Sequence, residues 1–99
     1  MITHVVIFWT DKPHGGNRES LLTGARELLP QIPGVKEFRC GAPVRSPRGV
    51  VDDGFAVAIS MSFEDQDAAE VYQSHPLHLQ FIEQSVKPYV RRLVVYDFG

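Results

Sequence analysis

A chain of 99 residues, 43% hydrophobic and 22% charged, reads as one globular domain over 1–99 with no room for a second. Ten basic residues against 12 acidic leave a net charge of −2, which argues against a nucleic-acid partner, since a phosphate backbone asks for a basic excess. No apolar run reaches the ~18–20 residues of a membrane span, the N-terminus lacks a basic leader region, and the lone Cys40 has no internal disulfide partner, so the expected setting is the cytoplasm.

The elements follow in chain order. Residues 2–9 form a strand, because nearly every position is β-branched or aromatic. Ile2, His4, Val6 and Phe8 share one face; Thr3, Val5, Ile7 and Trp9 share the other. Asp11 to Gly16 is a turn that contains His14, expected at the surface. Asn17 is a fair N-cap. Leu21, Leu22, Ala25, Leu28, Leu29 and Ile32 then recur at helical spacing. Pro30 and Pro33-Gly34 end this helix.

Residues 35–42 make a weaker second strand, and Pro43 to Asp53 a long loop. The third strand is expected over 54–63. Phe55, Val57, Ile59, Met61 and Phe63 point one way, with Ala56, Ala58, Ser60 and Ser62 opposite. Asp65 caps a second helix over about 66–74. His75-Pro76 interrupts it, because proline disfavours helix at the residue before it and suits a new first turn. A third helical segment runs over about 76–87, and residues 89–98 close the chain as a strand. The order β-α-β-β-α-β is the ferredoxin-like split βαβ pattern: an α+β fold with a four-stranded antiparallel sheet.

Helices cover one face of such a sheet. The other should be polar if it meets water, yet strand one is apolar on both faces, and strand four sets Leu93 and Val95 opposite Val94 and Tyr96. The expectation is a homodimer packed through the open sheet faces.

The densest cluster of proton-transfer groups is Tyr72-x-x-His75-Pro76-x-His78. A histidine base beside a tyrosine donor suits deprotonation of a carbon next to a carbonyl. The competing reading is structural: His75 caps the helix that begins at Pro76, and Tyr72 packs on the sheet. His4 has two readings as well, a core imidazole satisfied by a carbonyl or a group that orients a ligand. A zinc site of His4, His75 and His78 is poorly matched, because a proline inside H-x-x-H spoils the common helix face. Arg92 either reaches water or turns its guanidinium into the pocket. Gly54-Phe55-Ala56 fits the core of an RNA-recognition strand, but the basic residue and the later stacking aromatics are absent.

These pieces together resemble the stress-responsive A/B barrel (Dabb) family. The residues that carry the resemblance are His4 in the first strand, Ile32-Pro33-Gly34-Val35, Gly54-Phe55, Phe63, and Tyr72…His75-Pro76-Leu77-His78…Phe81. A closing Val95-Tyr96-Asp97 completes it. The resemblance implies a dimeric α/β barrel of ferredoxin-like protomers. It also implies a polyketide-cyclase-like aldol chemistry, known from one plant enzyme of the family. There His78 takes a proton between two carbonyls, Tyr72 holds the carbonyl oxygen, and His4 lies in the pocket. Leu21, Leu22 and Ala25 stand where that enzyme has aromatics, which implies a different pocket shape. Some plant relatives bind magnesium through carbonyls that correspond to Leu29, Ile32 and Val35; no cofactor is otherwise implied. Two functions are therefore carried forward. One is proton-transfer catalysis on a small carbonyl compound. The other is a non-catalytic stress-associated homodimer that binds or sequesters a ligand.

Overall fold

The computed structural model describes residues 1–11 and 16–99. The expected turn after strand one, with His14, lies largely outside the described residues. The elements are β1 (Ile2–Thr10), α1 (Gly16–Leu28), β2 (Lys36–Gly41), β3 (Val57–Phe63), α2 (Gln66–Ser74), α3 (Pro76–Phe81) and β4 (Val90–Phe98). They build one antiparallel sheet in the order β2-β3-β1-β4. Among the described residues, no helix is long and apolar enough to cross a membrane.

The period-two pattern of β1 and β3 decides which face is buried. Register pairs His4 with Met61, Val6 with Ile59 and Phe8 with Val57, so these side chains leave the sheet on the same side. Leu21, Leu22, Ala25 and Leu29 close over them from the first helical segment, and Ile32 follows. α1 begins at Gly16, so Asn17 lies in its first turn rather than ahead of it. Pro30 does not stop the chain turning; it sits in a 3₁₀ turn over Leu29–Gln31, where a missing N–H costs little. Gly34 then takes φ +92°, a left-handed value that glycine adopts without penalty. Within this exit, the carbonyls of Leu29 and Ile32 each accept a backbone amide at 3.2 Å.

β2 is irregular. Glu37 has φ 52° and sits where the register slips between Lys36 and Arg39, as at a β-bulge. Its carboxylate accepts from the Ser62 hydroxyl at 3.2 Å. β3 starts at Val57 rather than at the expected Gly54. The Gly54 amide is drawn to the Asp52 side chain at 2.9 Å, a local turn that competes with the ladder. Ala56 is consequently not a member of the open face. It is fully buried, its amide donates to the Phe8 carbonyl at 2.8 Å, and its carbonyl accepts from Arg18 Nε at 2.9 Å.

The third helical segment also departs from expectation. α3 stops at Phe81, and Ile82–Val86 form a π-helical turn closed by Lys87 N–H to the Ile82 carbonyl at 2.9 Å. Ser85 in this turn lies tightly against α1. A β-carbon on Gly24 would stand 2.3 Å from Ser85 Oγ and 3.5 Å from the Phe81 ring. Gly24→Val should therefore overpack this contact and lower unfolding stability by about 1–3 kcal/mol, read as a shift of the urea midpoint at constant slope.

Candidate active site

α2 and α3 owe their relation to one residue. Asp65 starts α2 by accepting the Ala68 amide at 2.9 Å. Ten residues later His75 turns extended, at φ −66° and ψ 139°, as a residue before proline prefers. Its Nδ1 accepts the Leu77 amide at 3.1 Å and so caps α3. The structural reading of His75 is therefore the one observed, and it does not line the cavity described below. The break has a geometric consequence. In a straight helix, residues six apart stand about 240° apart around the axis. The reset at His75 instead brings His78 back against Tyr72, with ring centroids 4.5 Å apart and planes at 46°.

His4 arrives from the sheet. It is 5% exposed, and its ring lies 5.7 Å from that of Tyr72. Its cross-strand partner on β4 is Asp97, whose carboxylate oxygen stands 2.5 Å from His4 Nδ1. A carboxylate accepts only, so Nδ1 carries a proton toward Asp97. The Asp97 carboxylate itself is 59% exposed. His78 is held in a parallel way: its Nδ1 donates to the Gln73 carbonyl at 3.0 Å, which leaves Nε2 as the basic nitrogen.

These groups converge on a cavity of about 190 Å³ between sheet and helices. The polar end is His4, Tyr72, Gln73 and His78. The remainder is apolar, with Phe8, Phe81, Ile82 and Val86 as its inner wall. Leu93 and Val95 form the outer wall and are each 44% exposed. A larger, shallower hollow of about 320 Å³ lies on the uncovered sheet face, around Val5, Arg39, Ala58 and Ser60. It lacks any pair of acid–base groups, so the smaller cavity is the better candidate for chemistry.

Burial governs the protonation states. Tyr72 is 2% exposed, and desolvation of the phenolate pushes its pKa well above the ordinary tyrosine value. Tyr72 is then a donor and not a base. His78 is half-buried, and desolvation of the imidazolium is the largest cause holding its pKa below 6.5; nearby His4 acts in the same direction, while the bond to Gln73 opposes it. A neutral imidazole with a free Nε2 is the form suited to accept a proton near neutral pH.

His4, Tyr72 and His78, from three different elements, are thus brought together. Arg92 is not with them. It pairs with Trp9 in the register, and its guanidinium lies 4.4 Å from the Trp9 ring centre on the opposite face. Asp97 is the site residue that sequence reasoning missed. The signal was present in the alternation of β4, which sets Asp97 on one face with Leu93 and Val95. The antiparallel register that seats it on His4 was not readable. The inner wall of the π-helical turn was missed too, since a π turn has no distinct sequence period.

Comparison with known proteins agrees with this architecture. Residues 2–99 match the stress responsive A/B barrel domain (Dabb) family. A stress-response A/B barrel domain-containing protein of Arabidopsis thaliana is 34% identical over 80 residues, covering 81% of this chain and 70% of that protein. A Dabb protein with a ferredoxin-like fold from Mesorhizobium loti is 28% identical, with a TM-score of 0.78, covering 99% of this chain and 94% of that one. A dimeric ferredoxin-like protein of unknown function from Thermobifida fusca has a TM-score of 0.79 at 22% identity, covering 99% and 89%.

The depressed pKa of His78 has a sign that can be checked. Below 6.5 the unfolded chain binds a proton that the folded chain resists, so stability is lost as pH falls. The melting temperature should drop on acidification from about pH 7.5 to about pH 5.5. In His78→Gln, which cannot titrate, the drop should be smaller.

Proposed function

The chain belongs to the stress-responsive A/B barrel domain family, and we propose that it is a cytoplasmic homodimer whose cavity performs proton-transfer chemistry on a small carbonyl compound. The observation that carries this reading is the convergence of His4, Tyr72 and His78 on one apolar cavity of about 190 Å³. An isolated imidazole in a core would be unremarkable. Here two histidines each have Nδ1 engaged, and an un-ionised phenol stands between them.

In the proposed step, His78 Nε2 takes a proton from the carbon beside a carbonyl. The C–H pair becomes the enolate π bond, and the carbonyl oxygen gains the charge. Tyr72 O–H donates to that oxygen, which is where charge develops. His4 orients the same end of the ligand, and Asp97 holds its ring by the Nδ1–H. The enolate then attacks a second carbonyl within the ligand or is reprotonated. The family includes proteins described by fold and stress response rather than by reaction, so the chemistry rests on this site and not on the fold.

Deuterium uptake at the acidic carbon of small β-keto esters and aryl ketones tests this reading. The wild type should accelerate exchange. His78→Ala should lose about 10²–10⁴-fold, and Tyr72→Phe roughly 10²–10³-fold, with both variants folded. Equal exchange rates in all three proteins would remove these residues from the mechanism. Ligand binding without any acceleration by the wild type would favour the sequestration role.

The dimer is supported by the uncovered face of the sheet. Val5, Ile7 and Trp9 are half-buried there, and Tyr96 and Phe98 are exposed, an apolar surface that water disfavours. Small Ala58 and Ser60 beside them leave room for a facing sheet, and relatives of the same fold are dimeric. Ile7→Glu, at the centre of this face, should shift the sedimentation coefficient from dimer to monomer at micromolar concentration while leaving the far-UV spectrum unchanged.

A further inference from the structure

The same cavity carries information about the charge of what it holds. We propose that it is built for an uncharged ligand of about one aromatic ring in size, bearing a hydrogen-bonding oxygen, and that it rejects carboxylates and phosphates. This inference rests on the cavity being the binding site and narrows the ligand class.

Size comes first. A volume of about 190 Å³ falls below the roughly 300–1,000 Å³ of pockets for drug-sized ligands. It is near the roughly 150 Å³ of an apolar cavity that holds benzene. A single ring or a short chain fits, with its apolar body against Phe8, Phe81 and Val86 and its oxygen toward Tyr72 and the histidines.

Charge is the sharper constraint. Among the described residues, no lysine or arginine lines the cavity. The basic groups of the surrounding elements are turned to other partners. On β4, Arg92 stacks on Trp9 across the sheet, and Arg91 faces Asp11 at 3.6 Å. After the π-helical turn, Lys87 pairs with Glu83. On α1, Arg18 donates to the Ala56 carbonyl. The titratable groups that do line the cavity are His4, Tyr72 and His78. Burial favours the neutral forms of the last two. The fixed anion nearest them is Asp97, directly behind His4. A carboxylate entering this space would shed its water, find no lysine or arginine, and meet in His4 a ring already engaged by the Asp97 carboxylate. A neutral carbonyl meets one O–H donor and loses little hydration.

Three probes of nearly equal shape decide the matter: benzamide, benzoate and benzylamine, the last two charged at pH 7.5. Each is titrated into the ¹⁵N-labelled protein, and the amides of Phe81, Ile82 and Val95 are followed. Benzamide should bind at least roughly tenfold more tightly than either ion. Leu93→Arg, an exposed wall position that tolerates a long side chain, should raise benzoate affinity toward that of benzamide. Benzoate or benzylamine binding the wild type as well as benzamide would overturn the neutral-ligand inference and leave the cavity as a binding site. A Leu93→Arg protein that gains nothing for benzoate would overturn it too. Silence of all three probes would overturn both.

Discussion

The packing of His78 on Tyr72 depends on one hydrogen bond, from the Leu77 amide to the His75 ring. Proline at 76 cannot continue α2, and left alone it would end the helix in an open chain. The imidazole accepts the Leu77 amide and starts a new helix at once. Two short helices at an angle result, where the period alone would build one longer rod. That angle sets His78 against Tyr72 and carries Phe81 and the following π turn over β1. Without it, Tyr72 and His78 would stand about 240° apart around one helix.

The cavity that follows is an electrostatic compromise. Burying polar groups is costly unless each is hydrogen-bonded, and two imidazoles are accommodated by giving each Nδ1 an acceptor. One acceptor is a backbone carbonyl; the other is a carboxylate still largely in water. Asp97 thereby links a buried ring to solvent without itself being desolvated, which avoids the penalty of a fully buried ion pair. The same arrangement gathers His4, Tyr72, Gln73 and His78 at one end of a space otherwise lined by hydrocarbon.

The sheet has four strands, but its helices protect only part of one face. β4 is largely exposed on both sides. One side completes the cavity wall with Leu93 and Val95; the other extends the apolar face that the proposed dimer covers. A single edge strand so borders the cavity on one side and the uncovered sheet face on the other, because strand side chains alternate between faces.

Much of this was legible in the sequence. The alternation of β1 and β3, the helical spacing of Leu21 to Leu29 and the His75-Pro76 break determined element type and order, because period and proline sterics are local. They also marked His4, Tyr72 and His78 as candidates. What only the tertiary structure decided was distance and facing. Antiparallel register seats Asp97 on His4, ninety-three positions away in the chain. The pairing of β1 with β4, unbroken as far as Trp9, sets Arg92 opposite Trp9 rather than in the cavity. An Asx-type turn at Asp52 delays β3 and buries Ala56. The π turn after Phe81 shapes the inner wall. Each of these follows from contacts between segments far apart in the chain, or from a competition among hydrogen bonds that local propensity does not rank. The sequence by itself therefore determined which side chains are available for chemistry, and long-range packing decided which of them meet.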